Sequence, residues 1–156
     1  MKTQMKVGVI LINKKKRILL IKEKYKKDEE YKWNIIKGTY DKFSETLLEC
    51  AIREVHEEIG VHVKKLTLDR AYHYGEKENP KIIFIFVGLV NEKKIVFNFD
   101  NNENDESIIE AKWFTKKEFK LIKKKNLMAS YIYEFFDVVK NLDNLNNEVE
   151  FFKICF

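Results

Sequence analysis

One segment near the middle of the chain has the period of an α-helix. From Glu45 to Ile59 the apolar residues recur every three or four positions, at Leu48, Ala51, Ile52, Val55 and Ile59. This spacing predicts an amphipathic helix with one buried face. Ser44 is suited to cap its start and Gly60 to end it. Because such a helix must bury its apolar face against another layer, the pattern favours a layered fold.

The apolar runs around this helix are short and rich in β-branched residues, which indicates β-strands. The predicted strands are 7–12, 18–21, 31–36, 61–74, 82–90 and 108–114. The run at 82–90 is apolar on both faces and is predicted to be central in a covered sheet. Thr115 and Glu118 form a capping-box pattern that opens a further helix. This order predicts an α/β fold, an α/β/α sandwich around a mixed β-sheet.

The length and composition are those of one globular domain. The 156 residues are 45% apolar, which is enough for a single core, and we expect one domain over residues 1–156. A C-terminal helix is predicted at about 129–140. The tail 141–156 ends in apolar residues, so we expect it to dock on the core or on another subunit of a homodimer.

No stretch of the chain is apolar enough for a membrane span or a secretory signal. We therefore expect a soluble, cytoplasmic protein with no membrane partner.

The two cysteines, Cys50 and Cys155, lie too far apart in sequence for a metal-binding pair and are too few for a disulfide framework. The net charge of +5 comes from lysine, since only three of the thirty basic residues are arginine. Diffuse lysine permits phosphate ligands without specifying nucleic acid.

Three carboxylates share one strip of the predicted helix. Glu54, Glu57 and Glu58 are spaced by three and four residues, so they project close together beside the apolar stripe. Like charges at this spacing disfavour one another, and a hard divalent cation would remove that penalty. Ligands that offer only oxygen indicate magnesium or manganese rather than zinc. The alternative interpretation is a solvated acidic helix face.

The strip belongs to a longer pattern, in which Glu45 is followed after seven residues by Arg53-Glu54, then by Glu57-Glu58 and Gly60. This pattern resembles the signature of the Nudix hydrolases, a loop-helix-loop that binds metal and diphosphate. There is one departure. Gly38 precedes Glu45 by six intervening residues, where the signature has five, and we interpret this as one residue inserted in the loop. Two predicted strands also fit the family's flanking pattern: 31–36, which contains Trp33, and 108–114, which precedes the capped helix.

The resemblance implies a fold, a reaction and roles for residues. It implies the family's α/β/α sandwich and the hydrolysis of a nucleoside diphosphate linked to a moiety X, with release of a nucleotide and phosphorylated X. Magnesium, with manganese as a substitute, would be held by Glu54, Glu57 and Glu58. Glu45 and Arg53 would form a brace for the helix. The predicted catalytic residues are Glu54, Glu57 and Arg53, and either glutamate could serve as the base.

In other members of the family an acidic residue outside the signature completes the metal site. We expect it at Asp105-Glu106, with Glu106 as the predicted ligand and Glu103 as the second choice. The predicted substrate-binding residues are Lys37, Gly38, Trp33 and Tyr74, with a cation such as Lys37 for the phosphates and an aromatic ring for the base. Other available aromatic residues are Tyr40, Tyr72 and Phe84. Core packing is the alternative use of every aromatic residue named here.

Three further residues near the acidic strip are not predicted to take part in metal binding or catalysis. His56 and His62 flank the strip and are interpreted as surface or partly packed histidines rather than zinc ligands. Cys50 lies on the same helix without a histidine or second cysteine nearby in sequence, so it is not expected to act as a nucleophile.

Two alternatives to a small-molecule hydrolase stay open. The scaffold could serve as a nucleotide-binding or RNA-binding module with weak catalysis, as suggested by the longer loop and the basic runs at 14–17 and 123–125. Within the enzyme class, the substrate could be a capped or triphosphorylated RNA end. The small-molecule nucleotide remains the primary predicted partner, and RNA is a possible one.

Overall fold

The computed structural model describes residues 3–25, 28–91, 96–98 and 106–135. The strands are β1 (Gln4–Asn13), β2 (Ile18–Tyr25), β3 (Lys32–Asn34), β4 (Ile36–Thr39), β5 (Thr67–Glu76), β6 (Asn79–Val90) and β7 (Glu106–Phe114). The helices are α1 (Leu47–Ile59) and α2 (Lys116–Lys120). Two 3₁₀-helices follow at Lys124–Asn126 and Ser130–Glu134.

The seven strands form one mixed sheet. Its main order is β3-β2-β1-β6-β5, with β4 paired to β1 and β7 paired to β2. The β1–β6 pair is parallel and the other pairs are antiparallel. Strand β6 lies between β1 and β5, which confirms the predicted central position of the 82–90 run.

Both faces of the sheet are covered. On one face, Ala51, Val55 and Ile59 of α1 pack with a core that includes Val9 and Leu11 of β1. On the other face, the core residues supplied by α2 and the segment after it are Phe119, Leu127, Ile132 and Phe135. Alternation along β1 sends successive side chains to opposite faces, as expected for a covered strand. The three layers confirm the predicted α/β/α sandwich.

The sheet forks between β1 and β2. The two strands pair at Ile12 and Ile18, next to the turn that joins them. Further along, β1 pairs with β4 and β2 pairs with β3. Consecutive strands β3 and β4 therefore bridge the two arms of the fork. The segment from Asn34 to Gly38 crosses from one arm to the other.

The start of α1 differs from the prediction. Thr46, not Ser44, is the N-cap: its Oγ1 accepts a hydrogen bond from the Glu49 N–H, and the Glu49 carboxylate accepts one from the Thr46 N–H. Ser44 lies inside a turn that is closed by a bond from the Glu45 N–H to the Lys42 carbonyl. The predicted end is confirmed, since Gly60 adopts the left-handed conformation (φ 69°) that favours glycine.

Several strand boundaries also differ. The predicted strand 31–36 is split, because the Ile35 N–H donates to Asn34 Oδ1 instead of to a neighbouring strand. The strand predicted from residue 61 begins only at Thr67, and the turn predicted at 75–80 narrows to 77–78 because β5 and β6 both extend towards it. These changes leave the order of the elements as predicted.

The C-terminal predictions are only partly covered by the described residues. The helix predicted at 129–140 begins as the 3₁₀-helix Ser130–Glu134, and its part beyond residue 135 lies outside the described residues, as does the tail 141–156. Docking of the tail, on the core or on another subunit, stays a prediction. Within the described ranges no helix has the length and apolar character needed to cross a membrane. The cytoplasmic location also stays a prediction.

Candidate active site

Helix α1 holds its acidic strip against the protein rather than in solvent. Glu54 is 4% exposed and Glu58 is 3% exposed, and the side chain of Glu57 is 35% exposed. Burial follows from the position of the strip beside the apolar stripe, whose members Val55 and Ile59 are fully buried. Buried carboxylates are costly unless they are paired or bind a metal. The strip therefore needs compensating partners.

The backbone of β4 lies directly against this strip. A Cβ atom on Gly38 would lie 1.8 Å from Cδ of Glu54, so only glycine leaves room for this carboxylate. The Lys37 N–H donates to Glu58 Oε1 at 3.2 Å. Two predicted substrate-binding residues, Lys37 and Gly38, thus have their backbone next to the predicted metal ligands.

The structure forms the predicted pair between Arg53 and Glu45. The Arg53 Nε donates to Glu45 Oε2 at 3.0 Å and Nη2 donates to Oε1 at 2.8 Å, a bidentate arrangement. These bonds raise the pKa of Arg53, chiefly through Glu45, and hydrogen bonding from Arg53 lowers the pKa of Glu45. The helix is thereby tied to the loop that precedes it.

The same guanidinium also gathers two carboxylates of the strip. Arg53 Nη1 donates to Glu54 Oε1 and to Glu57 Oε2, each at 2.8 Å. Two carboxylate oxygens therefore converge on a single nitrogen atom. Arg53 supplies positive charge to the strip and also fixes the direction of both side chains.

The extra residue between Gly38 and Glu45 is accommodated locally. The turn Lys42–Glu45 takes up the additional length, and Tyr40 donates its hydroxyl to the Glu45 carbonyl at 2.8 Å. Despite the extra residue, Gly38 lies against the side chain of Glu54. The departure from the signature alters the loop and leaves the contact between β4 and α1 intact.

The donors on α1 match the chemistry of a hard dication, since they are all carboxylate oxygens. In the described ranges, however, no group of three or more histidine, cysteine, aspartate or glutamate side chains is arranged to hold a metal ion. The predicted outside ligand Glu106 is the first residue of β7, opposite Tyr25 of β2. Its side chain, Asp105 and Glu103 lie outside the described residues. The set Glu54, Glu57, Glu58 and Glu106 stays a prediction.

The predicted base-binding aromatics lie elsewhere. Trp33 and Tyr74 are partly buried against the core on the sheet face opposite α1. The Trp33 ring meets the Phe114 ring edge-on, with centroids 4.8 Å apart. Burial raises the pKa of Tyr74. The structure therefore separates Trp33 and Tyr74 from the acidic strip by the thickness of the sheet.

The geometry agrees with the prediction that His56 and His62 are surface or partly packed residues and that Cys50 is not a nucleophile. The rings of His56 and His62 stack on each other with centroids 4.2 Å apart. Cys50 is buried, and desolvation raises the pKa of its thiol to about 12. A thiol with that pKa stays protonated near neutral pH and is a poor nucleophile.

Sequence reasoning missed a buried polar pair, Glu23 and Asn34. Glu23 lies beyond the predicted strand 18–21, but β2 continues to Tyr25 and carries Glu23 into the interior. Asn34 Nδ2 donates to Glu23 Oε1 at 2.5 Å. Because residues 22–24 are all charged, no alternation of apolar and polar residues indicated that the strand continues past residue 21.

The geometry of α1 and β4 can be compared with known proteins. The profile of the NUDIX domain family matches residues 2–136. The chain belongs to this family. Membership confirms the family predicted from the Glu/Arg pattern and supports the predicted enzyme class, a pyrophosphohydrolase that acts on nucleoside diphosphate derivatives.

Solved structures show the same fold. A NUDIX hydrolase from Nitrosomonas europaea has a TM-score of 0.70 at 20% identity and covers 96% of this chain and 98% of its own. An Ap4A hydrolase from C. elegans has a TM-score of 0.66 at 18% identity, with 90% and 98% covered. The NUDIX domain of Shewanella oneidensis NrtR, complexed with ADP ribose, has a TM-score of 0.67 at 10% identity, with 94% and 90% covered. No curated protein matches the sequence.

Proposed function

We propose that this Nudix protein hydrolyses the diphosphate linkage of a nucleoside diphosphate joined to a moiety X, with Mg²⁺ as cofactor and Mn²⁺ as a substitute. The observation that carries the proposal is the buried acidic strip of α1 in contact with Gly38 and with the Lys37 amide. Two structural neighbours, described as an Ap4A hydrolase and as a domain complexed with ADP ribose, support a nucleotide with linked phosphates as substrate.

The metal would be held by Glu54, Glu57, Glu58 and Glu106. When bound, the ion neutralises phosphate oxygens and so lowers the cost of charge that develops at phosphorus. Arg53 contacts Glu54 and Glu57 rather than the space in front of them, so we assign it as a positioning residue. Its part in the predicted catalytic set is to orient the ligands.

The reaction transfers a phosphoryl group to water. A water oxygen forms a bond to one phosphorus while the bond from that phosphorus to the bridging oxygen breaks. The leaving phosphate keeps the electron pair, and the proton of the water passes to a carboxylate. Glu57 is more accessible than Glu54, with 35% against 6% of its side chain exposed, and we assign it as the base.

The test is turnover of the variants Glu57→Gln and Glu58→Gln. Both changes keep side-chain size and remove the charge, so we expect turnover to fall by at least about 100-fold while the fold is kept. Glu110→Gln is the matched control, because Glu110 is exposed on β7. The assay is nucleotide release from triphosphates, nucleotide sugars, dinucleoside polyphosphates and capped RNA, first with Mg²⁺ and then with Mn²⁺. Unchanged turnover in both variants would contradict the proposal.

The second candidate is a nucleotide-binding or RNA-binding module. Lys14, Lys15 and Lys16 are exposed at the β1–β2 turn, and Lys123, Lys124 and Lys125 are exposed after α2, as a polyanion surface requires. Calorimetry in Mg²⁺ distinguishes the two functions, because a module binds without cleaving a phosphate bond. A steep fall of RNA affinity with salt would support the basic surface, since counterion release scales with the phosphates contacted.

A further inference from the structure

A groove lies at the end of α1, outside the candidate active site. It is lined by residues 60–65, which join α1 to β5, together with Leu89, Val90 and Asn91 at the end of β6. Its volume is about 550 Å³, within the range of about 300–1,000 Å³ that is typical of ligand cavities. We call it the 60–65 groove. Among the described residues, no predicted metal or substrate ligand lines it.

The lining of the groove is largely apolar, both in its depth and at its rim. Val61 and Val63 are buried and belong to the core beneath α1. Leu89 and Val96, which also line the groove, are 56% and 83% exposed. Apolar side chains that are gathered in one exposed patch mark a surface that another segment or molecule covers. We therefore expect an occupant with apolar side chains.

The groove is also basic. Lys64, Lys65 and His62 are exposed members of its lining. Of the described residues that line it, none is acidic. The electrostatic field of these side chains favours an anionic occupant over a cationic one. The occupant should therefore combine apolar residues with acidic ones.

The tail 141–156 has this combination. Within it, the segment 148–156 begins with Glu148 and Glu150, and five of the six residues that follow are apolar. The tail carries three acidic residues and one lysine, although the whole chain has a net charge of +5. An apolar run of this kind is a liability when it is exposed. The tail and the groove are thus complementary in polarity and in charge.

The chain is long enough to bring the segment to the groove. Phe135, the last described residue, packs beside Tyr72 with ring centroids 6.4 Å apart. Tyr72 belongs to β5, which lies at one edge of the sheet. The twelve residues 136–147 can span at most about 40 Å. Layers of secondary structure pack about 10 Å apart, so this length suffices to pass around β5 to the face of α1, where the groove leads into the same strand.

We propose that the segment 148–156 binds in the 60–65 groove of its own chain. Its aromatic residues lie on the apolar lining and against Leu89, and its two glutamates lie at the lysine pair. Burial of apolar surface supplies most of the affinity, whereas ion pairs at an exposed rim are weak and chiefly fix the direction of the segment. Because Gly60 follows Glu58 by two residues, the bound segment also supports the end of α1 next to the acidic strip.

The test is carbodiimide cross-linking of the whole chain, followed by peptide mass spectrometry. This reagent joins a carboxylate to a lysine amine only where the two groups are in contact. We expect Glu148 or Glu150 to be joined to Lys64 or Lys65. A mixture of unlabelled and isotope-labelled protein distinguishes links within one chain from links between chains, and we expect no mixed product.

A variant of the groove tests the apolar contact. Leu89→Asp places a charge at an exposed position, so the fold should be kept. The yield of the expected cross-links should fall by up to about 10-fold, because the loss of one apolar contact changes the ratio of bound to unbound segment by that order. Ile109→Asp is the matched control and should keep the yield, since Ile109 is a similarly exposed strand residue (49%) on β7, outside the groove.

Four results would overturn the proposal. The first is the absence of links from the tail to Lys64 and Lys65, and the second is links that spread without preference over other exposed lysines, such as Lys117 and Lys120. The third is links found only between chains, which would assign the groove to the tail of a second copy. The fourth is an equal yield in a folded Leu89→Asp variant. Should that variant fail to fold, the link pattern of the wild type and the isotope mixture still decide.

Discussion

Replacing Gly38 by alanine tests the contact on which the candidate site depends. The added Cβ would lie 1.8 Å from Glu54 Cδ, 2.1 Å from Oε1 and 2.3 Å from Cγ. No real Cβ makes contacts this short, so the Glu54 side chain or the β4 backbone must move. Gly38 pairs with Val7 inside the sheet, which resists a backbone shift. We therefore expect Glu54 to be displaced.

The cost follows from what Glu54 loses. Overpacking of a buried position costs about 1–3 kcal/mol, and disturbing a buried charge-assisted bond adds about 1–3 kcal/mol. Glu54 is 4% exposed and its Oε1 accepts from Arg53 at 2.8 Å, so both terms apply. The Gly38→Ala variant should lose about 2–6 kcal/mol in the free energy of unfolding. For a chain of this length each kcal/mol lowers Tm by about 2–4 °C.

The assay is thermal unfolding together with Mg²⁺-dependent turnover. Gly8→Ala is the matched control, because its Cβ would meet the terminal methyl groups of Ile35 and Ile85 at 2.8 Å and of Ile83 at 3.2 Å. These side-chain ends can give way, so we expect a smaller loss of stability and unchanged turnover. If Gly38→Ala had the Tm and turnover of the wild type, Glu54 would not be held as the structure shows, and the argument for the site would be wrong.

Two further predictions concern α1 and its brace. Thr46→Ala should lower the free energy of unfolding by about 1 kcal/mol, because it removes the N-cap hydrogen bond. In the same denaturant titration Ser44→Ala should have little effect, and the reverse order would contradict the assignment of Thr46 as the N-cap. Hydrogen bonding from Arg53 lowers the pKa of Glu45 below its ordinary value of 4.5. The ionised Glu45 carboxylate therefore stabilises the fold fully above pH 4.5, and this stabilisation is lost as the pH falls through the lowered pKa. Thermal unfolding between pH 7 and pH 3 should therefore show a weaker acid dependence in Glu45→Gln than in the wild type, and identical profiles would refute the effect.

Features that depend on neighbours in sequence were predictable. The period of the apolar residues in α1, the left-handed stop at Gly60 and the grouping of Glu54, Glu57 and Glu58 all follow from helix geometry. The bond from Arg53 to Glu57 spans one turn of the same helix. The spacing from Glu45 to Arg53 was informative because it matched a known signature, and the structure forms that pair.

Errors in the prediction occurred where two local choices competed. Ser44 and Thr46 are both good N-cap residues, and the turn closed by Glu45 and Lys42 decides between them. Similarly, the run from Tyr31 to Ile36 reads as one strand, but the Asn34 side chain takes the Ile35 N–H and divides it. Propensity alone does not rank such alternatives.

What the sequence by itself determined is the helix, its acidic strip and the family, because these are encoded by spacing along one segment. The tertiary structure alone decided that Gly38 lies against Glu54, that Trp33 and Tyr74 lie on the opposite face of the sheet, and that Glu23 meets Asn34. These contacts join strands and helices through the pairing of β4 with β1 and of β3 with β2. The face on which each strand side chain lies depends on register, and register is set by the packing of the whole sheet.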